Sequence, residues 1–270
     1  MIGKLCRSAF CLGILAFAPV LWGQELRLGA TYTVEDSGLL KVLVPAFERA
    51  RGIKVRTVLA GTGQMLRIAE KGDVDVVFSH SPADEEKFVA AGFGVARFDV
   101  MYNDFVIVGP AADPAGIRGG KDAVEAFKKI HARRAKFVSR GDDSGTHKKE
   151  QFLWRSAGLV PKWPDYLSTG QGMVRVLLMA GELQAYTLCD RATFSAQRAK
   201  AGLEILSSGD PRLRNEYGVI AVNPARHPHV NRQGAQAFVE WITSEAGQHL
   251  ISNYRIGGEQ VFFPGAKSRR

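Results

Sequence analysis

A chain of 270 residues, 46% hydrophobic and 23% charged, has ordinary globular composition, with room for two compact lobes or one large domain. That excludes a disordered, collagenous or coiled-coil chain, and no repeat of solenoid period is present. The formal net charge of +9 attracts anions at long range without selecting one; the basic residues are scattered and form no helix-turn-helix, zinc or aromatic-basic module, which argues against nucleic acid.

The leading stretch MIGKLCRSAFCLGILAFAPVLWGQ stands apart. Lys4 and Arg7 precede an uncharged apolar run from Ser8 to Trp22, shorter than the ~20 residues of a typical membrane span. The pattern predicts a secretory signal over residues 1–23, cut after Gly23, rather than an uncleaved anchor. Cys6 and Cys11 sit in no lipoprotein box, so the expected product is soluble and exported. Without the leader only Cys189 remains, which allows no internal disulfide, and the loss of Lys4 and Arg7 takes the charge from +9 to +7.

Glu25–Ala30 alternates and predicts a strand, followed by a loop, TYTVED. SGLLKVLVPAFERARG places Leu39, Leu40, Leu43, Val44 and Phe47 at helical spacing, with Ser37 as N-cap, Gly52 as stop and Pro45 as a kink. IKVRTVLA is a strand, GTGQ a loop, and a short helix runs to Lys71. DVDVVFSH is apolar like a strand buried in a parallel sheet, and Ser81 and Pro82 open another helix. This β-α-β-α-β-α order predicts a doubly wound parallel sheet whose ligand sits beyond the carboxyl ends of the strands, where Thr31–Thr33, Gly61–Gln64 and Ser79–His80 lie. Two similar strings, YNDFVIVGP and NEYGVIAVNP, are expected to pair as a hinge between two lobes. Between them a second α/β set contains AKFVSRGDDSGTHKKEQFLWRSAG as strand, loop and helix. One long amphipathic helix is expected over Arg232–Tyr254.

The loop from Ser139 to Thr146 carries the strongest chemical signal. The first N–H groups of a helix lack internal partners, and the helix dipole adds positive charge there. An oxyanion at that end can accept from those N–H groups and from the hydroxyls of Ser144 and Thr146, while Gly145 permits close approach. Arg140 supplies a forked, permanent charge, and Asp142 is spaced to brace it. The plainer alternative is a helix cap by Asp143 or Ser144. Thr31, Tyr32 and Thr33, and Thr62 with the amide of Gly63, offer further donors, against turn chemistry as their plain alternative. An enzyme with Ser144 as nucleophile and His147 or His80 as base lacks a G-x-S-x-G elbow. No H-E-x-x-H spacing is present, and one cysteine builds no thiolate site. No catalysis, cofactor or free metal cation is expected.

GATYTVEDSGLLKVLVPAFE, GTGQMLRIAEKGDVDVVFSHSPADEEKFV, VMYNDFVIVGPAADPAGI, FVSRGDDSGTHKKEQFLW, GQGMVRVLLMAGELQAYTLCDRATF and the ending YRIGGEQVFFPGAK together resemble the tungstate-binding proteins of bacterial ABC importers, over nearly all of the chain after the leader. The resemblance implies a type II periplasmic binding fold, two doubly wound α/β lobes joined by a hinge and closing on a bare oxyanion. It also implies a periplasmic monomer with an inner-membrane ABC permease and its ATPase as partners. Arg140, Ser144, Gly145 and Thr146 match the arginine and Ser-Gly-Thr of the family's second-lobe loop, with Asp142 at the position of a bracing acid. The first-lobe loop departs: the family's Thr-Thr-Thr-Ser is here Ala30, Thr31, Tyr32 and Thr33.

The expected division is residues 1–23 as signal, 24–108 as the first part of lobe I, 109–205 as lobe II, and 206–270 as the return strand and C-terminal helices. The expected ligand is tungstate, possible competitors being molybdate and other small oxyanions such as sulfate or phosphate. A serine hydrolase or transferase is the alternative from another class. Tungstate and molybdate are bare dianions near neutral pH and only accept hydrogen bonds, whereas phosphate carries a proton. A pocket of donors alone, with Asp142 engaged by Arg140 and Asp36 behind the loop, is expected to reject phosphate.

Overall fold

The computed structural model describes residues 25–266, so the expected signal segment lies outside the described residues. The first lobe opens with β1 (Leu26–Thr31), α1 (Tyr32–Asp36), α2 (Leu40–Arg51), β2 (Val55–Ala60), α3 (Thr62–Glu70), β3 (Val76–Ser79) and α4 (Pro82–Ala90). β1 pairs in parallel with β2 on one side and β3 on the other. Its Leu26, Leu28 and Ala30 are fully buried, as suits a central parallel strand covered on both faces. α2 buries Leu40, Leu43 and Phe47 and stops at Gly52, whose φ of 68° is left-handed.

Three local expectations fail here. GTGQ is not a loop, because α3 already begins at Thr62. Tyr32–Asp36 is one short helical turn, not a loop. Ser37 caps no helix through its side chain: its hydroxyl donates to Val34 O at 2.8 Å, Gly38 turns the chain at a φ of 80°, and α2 begins only at Leu40.

β4 (Gly94–Gly109) has 16 residues, nearly three times the commonest strand length. The second lobe follows as α5 (Ala123–Ala132), β5 (Phe137–Ser139), α6 (Gly145–Ser156), β6 (Tyr166–Ser168), α7 (Met173–Leu183), β7 (Thr187–Asp190), α8 (Arg191–Ala201) and β8 (Glu204–Ser207). β9 (Arg214–Val222) returns to the first sheet, between β3 and β4 and antiparallel to both. β4 therefore serves two sheets: as far as Asp104 it pairs with β9, and from Phe105 with β7 and β8. The two similar strings of the sequence meet at this junction, with Asn103 opposite Asn215. β5 pairs in parallel with β6, and Val138 N donates to Tyr186 O at 2.9 Å, which ties β5 to the start of β7. The second lobe packs around Phe127, Phe137 and Trp154, whose rings meet edge-on or tilted at 4.3–5.7 Å.

The C-terminal part, α9 (Arg232–Thr243) and α10 (Glu245–Asn253), packs on the first lobe. Phe238 and Trp241 approach Phe47 of α2 edge-on at 5.1 and 5.5 Å. The single long helix expected there is broken at Ser244, where ψ is 166°. Ser244 Oγ accepts from Gly247 N at 3.4 Å and caps the second helix. A Cβ on Gly247 would lie 2.4 Å from Trp241 O, so the turn requires glycine. Among the described residues no helix is long and apolar enough to cross a membrane.

Candidate functional site

Four short segments converge between the lobes. Thr31 ends β1 and Thr33 lies in α1; both are buried. Thr62 and Gly63 open α3, with Gly61 as its N-cap. Arg140 follows β5 and is only 3% exposed. Ser144, Gly145 and Thr146 open α6, with Ser144 as N-cap; its Oγ accepts from His147 N at 3.3 Å.

The two lobes are in contact across this region. A Cβ on Gly61 would lie 3.8 Å from Ser144 Cβ, so the N-termini of α3 and α6 face each other. A Cβ on Gly63 would fall 2.8 Å from Asp143 Oδ2, and one on Gly145 would fall 2.7 Å from His80 Cε1. Lys148 of α6 reaches Asp84 of α4 at 2.6 Å and adds an ion pair between the lobes. The loop leading into α6 is held by Gly141 at a φ of 62° and Asp143 at 57°, the latter a residue type that tolerates the left-handed region.

Polar partners are unevenly supplied. Arg140 donates from Nε and Nη2 to Asp142 Oδ2 at 3.1 and 2.5 Å. Burial pushes the Asp142 carboxyl up, and Arg140 beside it outweighs this and holds it below the ordinary carboxylate range. Asp142 Oδ1 also accepts from Ser144 N at 3.2 Å. By contrast, the hydroxyls of Thr62 and Thr146 are buried and have no hydrogen-bond partner in the protein. Each stands in the first turn of a helix, where N–H groups lack an i−4 carbonyl partner; in α6 only His147 N is taken up, by Ser144 Oγ. Native interiors rarely leave such groups unpaired, and two of them at facing helix N-termini mark a place for an acceptor.

A cleft of about 470 Å³ opens beside these residues. Of the candidate residues, Tyr32 and Arg140 line it directly; the other candidates are buried and do not form its wall. Its remaining wall includes Asp36, Gln64, Arg67, Asp142, Asp143 and the Gly170–Gly172 turn before α7. The expected donors-only lining is therefore incorrect, because Asp36 faces the cleft instead of lying behind the loop. α1 is helical, which rotates the side chain four residues after Tyr32 onto the same face. Burial and the nearby Asp190 push the Asp36 carboxyl up to about 6, against the pull of Arg140. Asp190 is itself buried and shifted upward by that burial; its Oδ1 caps α8 through Thr193 N at 2.9 Å.

The serine-nucleophile arrangement is not assembled. His147 Nδ1 accepts from Asp143 N at 3.1 Å, and His80 Nε2 pairs with Thr33 Oγ1 at 3.1 Å, so neither ring is bonded to Ser144. Among the described residues no cluster of His, Cys, Asp or Glu is placed to hold a metal ion.

Comparison with known proteins accounts for this geometry. Residues 22–246 match the model of the PBP superfamily domain. The chain is 49% identical over 246 residues to the tungstate-binding protein TupA of Peptoclostridium acidaminophilum, covering 90% of this chain and 86% of that one. It belongs to the TupA family of the PBP superfamily. Among solved structures, the tungstate ABC transporter protein of Geobacter sulfurreducens superposes with a TM-score of 0.79 at 52% identity, over 85% of this chain and 98% of that one. The TupA protein of Desulfovibrio alaskensis G20 also gives 0.79, at 44% identity over 90% and 100% of the two chains. The type II binding-protein fold expected from the sequence is thus the observed one.

In this TupA-family chain the residues from Ala30 to Thr33 differ in exposure. Tyr32 is 42% exposed at the cleft, whereas its neighbours Thr31 and Thr33 are buried. The sequence gives no sign of Asp190, Asn215 or the lining role of Gly170–Gly172, and it points to Asp36 only behind the loop. His80 lies at the expected sheet edge, but it is bonded to Thr33 rather than to Ser144. A buried carboxylate at the end of a strand, such as Asp190, gives no local signal, because its neighbours come from distant segments.

Proposed function

We propose that this protein captures tungstate, with molybdate as the near competitor, for uptake by an ABC importer. The observation that carries the reading is the pair of buried, unpartnered hydroxyls, Thr62 and Thr146, at facing helix N-termini beside the buried Arg140. A bare oxyanion satisfies both hydroxyls, the free N–H groups of both helices and the guanidinium together. Thr31, Tyr32, Gly63, Ser144 and Gly145 complete the contact set, with Thr33 beside Thr31, and Asp142 fixes the arginine. The relatives named as tungstate-binding support the choice of ion. Export to the periplasm as a monomer, delivery to a membrane permease with its ATPase, and the absence of catalysis belong to the same proposal. Native mass spectrometry of the purified protein against tungstate, molybdate, sulfate and phosphate tests it. Retention of tungstate and molybdate over the others is expected; turnover of esters that vanishes in Ser144→Ala would replace it with the hydrolase reading.

A second reading has one specific observation in its favour. Asp36 in the cleft, with its carboxyl pushed up to about 6, offers an acceptor that suits a protonated anion such as phosphate. Phosphate competing as well as molybdate in the same panel selects that reading.

A further inference from the structure

Thr31, Thr33 and His80 form one end of a buried chain of hydrogen bonds that crosses the hinge. Thr31 Oγ1 and Thr33 Oγ1 are 3.1 Å apart, and Thr33 Oγ1 is 3.1 Å from His80 Nε2. His80 Nδ1 is 3.0 Å from Asn215 Oδ1. Asn215 Nδ2 donates to Asn103 Oδ1 at 2.7 Å and to Tyr217 OH at 3.0 Å, and Asn103 Nδ2 donates to Asp190 Oδ1 at 3.5 Å. The His80 ring stacks on Tyr217 at 5.1 Å.

Heavy atoms do not show which way each proton points; with the Asp190 carboxylate as the acceptor at its end, the chain orders as follows. Asp190 Oδ1 accepts, so Asn103 turns its amide nitrogen to it and its oxygen to Asn215. Asn215 then spends its two N–H groups on Asn103 and Tyr217 and turns its oxygen to His80. His80 must carry its proton on Nδ1. Burial depresses the His80 pKa to about 4, so the ring is neutral near neutral pH and Nε2 is a bare acceptor. Thr33 has a single proton, and it goes to Nε2, while the Tyr217 hydroxyl, which accepts from Asn215 and also bonds to Thr33, turns its own proton to the Thr33 oxygen. Thr33 then offers only lone pairs to Thr31.

We propose that His80 is a positioning residue that withdraws the Thr33 proton from the bound oxyanion and leaves Thr31 as the donor of that pair. Thr31 loses only an optional bond when its hydroxyl turns from Thr33 to a ligand. Thr33, expected from the sequence to donate, acts through Thr31 instead. The chain also links the first-lobe donor to Asn103 and Asn215, the residues paired where β4 and β9 cross between the lobes. This inference rests on the oxyanion reading above.

Long-range proton–nitrogen NMR of the ligand-free wild-type protein reads the tautomer, with His80 assigned through its contact with the Tyr217 ring. Protonated Nδ1 with bare Nε2 is expected; a proton on Nε2, or a mixture, overturns the assignment. Calorimetry with tungstate then tests the coupling. Thr31→Val is expected to weaken binding about tenfold, whereas Thr33→Val, which removes only a bond that ligand binding already breaks, is expected to change it by no more than about twofold. His80→Phe frees the Thr33 proton, so in that background Thr33→Val is expected to weaken binding about tenfold, while in His80→Gln, whose carboxamide oxygen can accept from Thr33, it is expected to have little effect. A loss of about tenfold from Thr33→Val alone would make Thr33 a direct ligand donor and overturn the proposal. If wild type binds no oxyanion, the functional reading fails and this role with it. If wild type binds and Thr33→Val alone costs about tenfold, only the relay fails.

Discussion

The two lobes approach the site with different physics. The second lobe brings a permanent charge: Arg140, 3% exposed and doubly bonded to Asp142, stands at the entry to α6. Its donors come from seven consecutive residues, Arg140 to Thr146, and their geometry is set locally by left-handed turns at Gly141 and Asp143. The first lobe brings neutral hydroxyls from the ends of different strands, and one of its members, Thr33, is bonded to a histidine that is itself held by the hinge. One side supplies charge on a rigid loop. The other supplies direction through a network. If both lobes hold the proposed oxyanion, affinity and positioning fall to separate lobes, so lesions on the two sides should differ in size and in kind.

Removing the charge is the largest test of that contrast. Arg140→Ala is expected to cost binding on the order of 2–5 kcal/mol, because it also leaves a bound dianion without its buried counter-charge. Arg140→Lys recovers only part, since an ammonium cannot reproduce the fork. Titration calorimetry that finds unchanged affinity in the alanine variant would remove Arg140 from the site and the contrast with it.

Thr62→Val and Thr146→Val probe one hydroxyl on each lobe. Neither hydroxyl has a partner in the protein, so ligand-free stability should hold or rise slightly. Tungstate binding should weaken by roughly 1–3 kcal/mol for each, as for hydrogen bonds to a charged group. Thermal denaturation with and without tungstate separates the two effects, because the ligand-induced rise follows RT ln(1 + [L]/Kd). A large loss of ligand-free stability in either valine variant would mean that its hydroxyl is structural.

The carboxylate in the cleft predicts a pH dependence. Asp36 is held up to about 6 by burial and Asp190, with Glu35 adding to the rise and Arg140 opposing it. Its folded value lies above the ordinary 3.8, so the folded state binds more protons between these values. Its contribution to stability therefore falls as pH rises through that window. Affinity for a bare dianion should fall in the same direction as pH passes 6, when a second negative charge appears beside the ligand. Asp36→Asn should flatten both profiles. An affinity that rises with pH through 6 in the wild type would show that Asp36 does not face the ligand.

The smallest effect belongs to the ion pair that joins the lobes outside the site. Lys148 and Asp84 have side chains 32% and 26% exposed, so the pair contributes in the range of about 0.2–1 kcal/mol to closure. Lys148→Met should weaken tungstate binding by no more than that, and the deficit should shrink at high salt. A loss as large as that of Arg140→Ala would make Lys148 a ligand contact.

By itself the sequence determined the alternation of strands and helices, the parallel set β1–β3, the meeting of the two hinge strings near Asn103 and Asn215, and the loop from Arg140 to Thr146. These are local patterns: apolar periodicity, glycine stops, and donors carried on one contiguous segment. Only the tertiary structure decided the rest. It bent the expected C-terminal helix at Ser244, because Gly247 must pass within reach of the Trp241 carbonyl. It turned Tyr32–Asp36 into a helical turn and so brought Asp36 into the cleft. It also joined Thr33, His80, Asn215, Asn103 and Asp190, residues up to 182 positions apart on five segments, into one directed chain. A hydrogen bond between distant segments leaves no trace in the spacing of either one, because its geometry exists only after the strands that carry them have paired.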